Sequence, residues 1–385
     1  MLAPAKLQRQ IVVSVFVAFG FLLGPMHPAN AQALPPGAPV VIGQSAEFSG
    51  QSIAKEGTLG ARAYFDAVNK RGGVNGHRIE LKSYDDGRDV KRSAANTQKL
   101  INEDKVFALF GYRSTPSVEA ALPILTAARV PMIAPMSGAR QIREPFNPMV
   151  FHMRASYQQE AAKMVEQLDT VSLRKIAILY QDDPFGQDGL EGFQKAMKER
   201  GLTAVAALKY DRRDLNVDAA VKAIVQARPQ AVLMACTPVA CTNFIKQVKR
   251  LDSGEQFYML SNVTSDDFVK SLGEDGWGVG ISQVVPYPWG VGLELKTEFR
   301  SALKDAAEPV PVSYASFEGF IAAKLFVEGL RMAGPNPTRE KFVAALESMR
   351  DYDLGGYTVR FSPTSHNASN YVDMTVIGRD GKILR

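Results

Sequence analysis

From Val40 onward, short buried-strand patterns alternate with amphipathic helical ones, and the alternation then starts again. "VVIGQS" reads as a strand and "GTLGARAYFDAVNKRGG" as a helix stopping at Gly72-Gly73. Asn75-Gly76 is a turn, "RIELKSY" an alternating strand, "VKRSAANTQKLINED" a helix and "VFALF" a buried strand. "VEAALPILTAA" is helical in spite of Pro123, and "VPMIAP" is the next strand. This βαβα order predicts parallel strands with helices on both faces. The second round runs through "KIAILY", "GLEGFQKAMKERG", "AVAALKY", "VDAAVKAIVQA", "QAVLMA", "CTNFIKQVKR", "QFYML" and "GVGISQVV". The fold class is therefore α/β, with two doubly wound parallel-sheet lobes rather than one long sheet. After the Pro-rich "VVPYPWG" come three helical stretches, residues 293–307, 314–333 and 339–349. The tail, "YTVRFSP" and "NYVDMTVIGRDGKI", reads as two more strands.

Ahead of the first strand, Lys6 and Arg9 precede the apolar run "IVVSVFVAFGFLL" and small-residue sites at Ala31 and Ala33. Residues 1–31 read as a secretory signal peptide cleaved after Ala31 or Ala33. The run is short for a bilayer span, and no Cys follows it to carry a lipid. Cleavage after Ala31 turns 385 residues into 354, a length that suits two domains, and lowers the net charge from +5 to +3. No dense basic run or stripe remains, which argues against nucleic acid as a partner. The expectation is a periplasmic monomer with no cofactor. Cys236 and Cys241 sit in "ACTPVAC"; an oxidising compartment permits a bond between them, and two free, partly buried thiols are the alternative. The four His are scattered, so no zinc site is expected.

Two loops carry the functional signal. "VFALF-GYRSTP-SVEAA" has a counterpart in "AVLMA-CTP-VACTNFI". In each, a buried strand ends, a Thr follows, a Pro comes next and a helix begins. Thr115 with Pro116 and Thr237 with Pro238 thus mark helix N-termini, where Thr suits the cap and Pro the first turn. "IAPMSGA" and "LSNVTSDD" supply a second loop to each unit. Ligands of open α/β sheets bind at carboxyl ends of strands, and helix N-termini favour an anionic group there. Capping alone explains any single loop; four loops matched across two units point to a ligand held between them.

These residues carry a resemblance. "GQSAEFSGQ", "GARAYFDAVNKRGGVNGHRIELKSYDDG", "FGYRSTPS", "VPMIAPMSGA", "IAILYQDDPFGQDGL" and "FIAAKLFVEGLRMAG" follow in the order and spacing of one family. Over nearly the whole mature chain the sequence resembles type I periplasmic solute-binding proteins of the leucine/isoleucine/valine-binding group. The resemblance implies two lobes joined by a three-crossover hinge near His152, residues 284–286 and residues 361–363. It assigns 39–151 plus 287–361 to lobe 1 and 152–286 plus 362–385 to lobe 2. It implies a small-molecule ligand, an amino acid or related carboxylate, passed to the membrane permease of an ABC importer, with no chemistry performed.

The resemblance also carries site residues. Thr115 fills the family's carboxylate-binding hydroxyl position, and Ser137 and Gly138 occupy the next loop. Phe185 matches an aromatic that packs on the ligand, Thr237 a residue facing the cleft from the second lobe, and Phe320 an aromatic on the late helix; a place in the core is the equal alternative for both aromatics. Ser49, Tyr112 and Ser114 are neighbours. Arg113 either faces the cleft as an anion partner or extends into solvent. Where the family usually has an acid for a ligand ammonium, this chain has Ser261 and Asn262. A buried ammonium without a carboxylate is costly. Either Asp182, Asp183, Asp266 or Glu318 substitutes, or the ligand is not zwitterionic. Branched-chain or aromatic amino acids lead; aromatic carboxylates or amides follow.

A secreted hydrolase is the competing class. "GYRST" and "GQSAE" lack the closing Gly of a nucleophile elbow, and neither His152 nor His366 offers an evident base. "GWGVG" lacks the strand-before, helix-after setting of a dinucleotide loop. A ligand-sensing receptor shares every feature of the transport reading.

Overall fold

The computed structural model describes residues 33–49, 52–251 and 254–385; the expected signal peptide lies outside them. The first unit runs β1 (Val40–Ala46), α1 (Ile53–Lys70), β2 (Ile79–Asp85), α2 (Val90–Asn102), β3 (Ala108–Phe110), α3 (Thr115–Ala128), β4 (Met132–Ile133) and β5 (Val150–Phe151). Its strands pair in parallel in the order β2-β1-β3-β4-β5. Strand order reverses between β1 and β3, the crevice where such sheets bind ligands.

The second unit runs α4 (Tyr157–Thr170), β6 (Ile176–Gln181), α5 (Pro184–Lys198), β7 (Ala206–Tyr210), α6 (Asp218–Ala227), β8 (Ala231–Ala235), α7 (Pro238–Lys249), β9 (Gln256–Met259), α8 (Asp266–Leu272) and β10 (Gly280–Gln283). There follow α9 (Glu294–Lys304), α10 (Tyr314–Met332), α11 (Arg339–Glu347), β11 (Tyr352–Asp353), β12 (Thr358–Val359), β13 (Asp373–Ile377) and β14 (Ile383–Leu384). The second sheet has the order β14-β13-β10-β9-β8-β6-β7. It is parallel from β7 to β10, and its switch point lies between β6 and β8.

The tail departs from expectation. β13 and β14 add antiparallel to the β10 edge, so this sheet is mixed. "NYVDMTVIGRDGKI" is split into two strands by a turn in which Asp380 Oδ1 accepts from Lys382 N–H and Gly381 takes a φ of 70°. "YTVRFSP" contributes only β12, which pairs with β11 in a separate hairpin.

α10 is buried along almost its whole length and lies on α1. Their backbones meet at glycines. A Cβ on Gly60 would fall 1.9 Å from Ser316 O, and one on Gly319 would fall 1.9 Å from Gly57 O. Ser52 caps α1 by accepting from Ala54 N–H, and Ser313 and Ser316 form a capping box at the start of α10.

The chain passes between the sheets three times, after β5, after β10 and before β13. The passages lie side by side. His152 N–H donates to His366 O and Ala368 N–H to His152 O, both at 2.8 Å. The Tyr357 hydroxyl lies 3.1 Å from Met153 O and 3.3 Å from Val284 O, within reach of the other two passages. These bonds hold the crossovers at one side and leave the carboxyl ends of both sheets free to face each other.

Candidate functional site

At the end of β3, Gly111 has a φ of 60° and Ser114 a φ of 78°. Ser114, not Thr115, is the cap position of α3, and its side chain makes no capping bond. Thr115 is the first helical residue. Its hydroxyl lies 2.8 Å from Ser137 Oγ, which also accepts from Ala139 N–H. Thr237 does occupy the cap position of α7 but makes no side-chain cap either. Its N–H donates to the Tyr210 hydroxyl at 3.0 Å, and its Oγ1 lies 3.3 Å from the same atom. Capping therefore does not account for either threonine hydroxyl.

The two sets of strand ends enclose a cavity of about 30 Å³. One wall is Arg88, Arg113, Ser114, Thr115 and Met136; the other is Tyr157, Gln181, Asp183, Phe185, Arg212, Thr237 and Asn262. Deeper in, Met136 is shared with a second hollow lined by Phe110, Met153, Glu318 and Gly319. A solute of amino-acid size needs far more room, so the walls must separate to admit one. Bonds that cross between them include Arg212 Nη2 to Arg88 O at 3.0 Å, Gln141 Nε2 to Pro184 O at 2.7 Å and Asp266 N–H to Glu56 Oε1 at 2.9 Å.

Six of the expected residues line this cavity: Arg113, Ser114, Thr115, Phe185, Thr237 and Asn262. Phe185 stands edge-to-face on Tyr157 at 5.2 Å. Arg113 is turned inward and buried, with Nη1 3.3 Å from Glu47 Oε2. Cys236 and Cys241, at the foot of α7, are joined by a disulfide.

The other expected residues stand elsewhere. Tyr112 is fully buried, its hydroxyl 3.0 Å from Thr97 Oγ1, because left-handed Gly111 reverses the side on which the next residue projects. Phe320 is packed among Tyr64, Phe299 and Phe317. At 100° per residue Glu318, Gly319 and Ala322 share the face toward the deeper hollow, and Phe320 points away from it. Ser49 is exposed and lines neither hollow. Ser137 and Gly138 form a layer behind: Ser137 orients Thr115, and Gly138 O accepts from Tyr157 N–H at 2.9 Å. Ser261 is held from behind by the Arg154 guanidinium and donates its N–H to Glu160 Oε2 at 2.8 Å.

Of the four acids that could meet an ammonium, Asp182 pairs with Lys209 and Asp266 with Lys270, both on the outside. Glu318 faces Arg154, Oε1 to Nε 3.4 Å, and burial pushes its carboxyl above the usual range. Only Asp183 reaches the cavity. It caps α5 through Gly186 N–H and accepts from Gln181 Nε2 at 2.6 Å. Burial raises its pKa, with Gly186 and Arg212 pulling the other way. Asn262 donates Nδ2 to Cys236 O at 3.0 Å, which leaves its buried Oδ1 with no partner among the described residues.

Sequence reasoning missed Arg88, Arg212, Gln181, Tyr157 and Met136. A signal for the two arginines was present. "YDDGRD" (84–89) closes β2 and "YDRRD" (210–214) closes β7, so at each edge strand's end a Tyr-Asp pair is followed within three residues by an arginine, with another acid close behind. Burial lowers the pKa of Arg113 and of Arg212, and it raises that of Glu47 despite the neighbouring Arg113 and Arg88.

Two sheets hinged along one side, with hydroxyls, an amide and charged groups meeting at their strand tips, define a two-lobed solute-binding protein. Residues 39–382 match the family model described as "Periplasmic binding protein", and the chain belongs to that family. It is 24% identical to a "Leu/Ile/Val-binding protein homolog 7" of Brucella abortus over 92% of this chain and 93% of the relative. It also resembles the crystal structure of a substrate-binding periplasmic protein from Ralstonia solanacearum (TM-score 0.84, 32% identity, 90% and 99% of the two chains). A possible leucine/isoleucine/valine-binding protein from Rhodopirellula baltica is similar too (TM-score 0.85, 28% identity, 94% and 98%). The type I periplasmic binding fold is thus the fold of this chain.

Proposed function

We propose that this chain is the periplasmic receptor of an ABC importer and takes a small carboxylate-bearing solute between its lobes. The observation that carries this reading is the Ser114–Thr115 start of α3, braced by Ser137 and set opposite Thr237 and Asn262 across one cavity. A carboxylate there meets side-chain hydroxyls and first-turn N–H groups together. Charge-assisted bonds of this kind contribute roughly 1.5–3 kcal/mol each. Three or four of them support micromolar binding, about −8 kcal/mol. Lobe 1 comprises 39–151 plus 287–361 and lobe 2 comprises 152–286 plus 362–385. The mature monomer delivers its ligand to a membrane permease.

The names of the Brucella and Rhodopirellula relatives favour a branched-chain amino acid, and Met136, Met153 and Phe185 offer it apolar contact. A second reading, a carboxylate without an ammonium, is favoured by the prior commitments of Asp183, the one acid of the four that lines this cavity, to Gly186 N–H and Gln181 Nε2. The test is a thermal-shift screen of ligand-stripped protein against amino acids and small organic acids. A ligand at 100 times its dissociation constant stabilises by about 2.7 kcal/mol. Failure of every carboxylate in the panel, alongside success of a neutral solute, refutes the proposal.

A further inference from the structure

We infer that the ligand carries two acidic groups, the second held at the cavity mouth by arginines from both lobes. The inference rests on the carboxylate reading above and extends it. Arg88 follows β2 in one sheet and Arg212 follows β7 in the other; both line the cavity, as does Arg113. Arg212 joins them directly, Nη2 donating to Arg88 O at 3.0 Å.

The arginines are not matched by acceptors. Glu47 Oε2 is 3.3 Å from Arg113 but 3.9 Å from Arg88 Nε, and Asp183 Oδ2 is 3.8 Å from Arg212 Nε. The two longer distances are beyond hydrogen-bond range. A third acid of this neighbourhood, Asp86, is buried and accepts from Ser45 Oγ and the Arg88 N–H. Each guanidinium has five donors in a planar fork shaped for a carboxylate. Just outside, the groove continues with Lys91 and Arg213 beside Arg88 and Arg212, against Asp89 alone. Such an entrance attracts anions and raises their local concentration.

Asn262 adds a third demand to those of the Ser114–Thr115 site and the arginines. With Nδ2 fixed on Cys236 O, its buried Oδ1 requires an N–H or O–H donor. The ligand class that answers all three demands is a short dicarboxylate bearing an amino or hydroxyl group. One carboxylate goes to Ser114 and Thr115, the other to Arg88 and Arg212, and the amino or hydroxyl group to Asn262.

The experiment is calorimetric titration of ligand-stripped mature protein with matched solutes: glutamate against glutamine, glutarate against pentanoate and against 2-hydroxyglutarate, and leucine and phenylalanine alone. In the glutamate/glutamine and glutarate/pentanoate pairs, the member with two carboxylates is expected to bind at least 10-fold more tightly. Glutamate or 2-hydroxyglutarate ahead of glutarate supports the role of Asn262; glutarate ahead of both overturns it. Arg212→Gln, and independently Arg88→Gln, should shrink the preference for the dianion toward unity. Leucine, glutamine or pentanoate binding as tightly as its acidic counterparts overturns the inference and leaves the carboxylate reading standing. An undiminished preference in both arginine variants also overturns it. Binding by none of these solutes overturns both.

Discussion

Gly60→Ala tests the contact on which lobe 1 is built. The added methyl would sit 1.9 Å from Ser316 O, whereas real Cβ atoms essentially never come within 3.0 Å. The shortfall is about 1.1 Å, and the obstacle is backbone on a helix buried along its length, so no side chain can swing aside. α1 and α10 must move apart, which loosens Tyr64 against Phe320 and shifts Glu318 and Gly319 at the deeper hollow. Overpacking typically costs about 1–3 kcal/mol, and a backbone clash belongs at or above the upper end. Alanine returns up to about 1 kcal/mol of helix propensity. The net expectation is destabilisation by about 2 kcal/mol, or roughly 3 °C in Tm for a chain of this length. Thermal unfolding followed by circular dichroism reads it. Gly192→Ala in α5 is the control, because its Cβ meets nothing nearer than 3.2 Å. Its nearest neighbour, Ala161 Cβ, has to yield only a few tenths of an ångström, so the cost should be clearly smaller than that of Gly60→Ala. Equal stability of the Gly60 and Gly192 variants would refute the reasoning.

Three further outcomes are expected. Thr115→Val removes the hydroxyl bonded to Ser137 while keeping its shape, and should weaken ligand binding by roughly 10- to 100-fold in titration calorimetry at a stability cost of about 1 kcal/mol. Unchanged affinity would leave Thr115 a purely structural residue. His152 is buried, and burial, Arg143 and His366 hold its pKa well below the usual value. The folded chain keeps it neutral while the unfolded chain takes up a proton near pH 6.5, so its contribution is complete above about 6.5 and is lost as pH falls, by up to about 1.4 kcal/mol per unit. The stability difference between wild type and His152→Gln should be flat from pH 7 to 8 and change below 6.5; a difference constant down to pH 5 contradicts this. Raised carboxyls such as Glu56, Asp188 and Glu318 act with the opposite sign and cancel in the difference. Arg154→Met strands buried Glu318 and should cost about 3–5 kcal/mol at neutral pH, with partial recovery in the Arg154→Met, Glu318→Gln double variant; no recovery would show that the pair is not the source.

The sequence displayed its sheets because the buried strands are near-continuous apolar runs and the helices between them are amphipathic. It displayed the loop at Thr115 because strand, hydroxyl and proline recur in the second unit at Thr237. What it hid was direction. A single left-handed glycine sends Tyr112 into the core, and one step along α10 separates Phe320 from the face that carries Glu318 and Gly319. Arg88 and Arg212 were hidden for another reason: each lies among acids in a polar stretch that reads as a solvated turn. Only the facing of two edge strands brings them together. The break in the tail stood in the sequence as Asp380-Gly381, a turn pair inside an otherwise strand-like run; the antiparallel direction of β13 against β10 did not.

The glycine seam between α1 and α10 also sets a timetable. About 250 residues separate the two helices along the chain. A ribosome working at about 5–20 residues per second delivers the second on the order of ten to fifty seconds after the first. Strands β6 to β10 are all synthesised within that interval and can pair among themselves. The parallel part of the second sheet is thus made before the first lobe can close, with only its antiparallel edge, β13 and β14, still to come after α10. Until α10 arrives the groove of α1 stays bare, an address for any chaperone that guards unfinished chains.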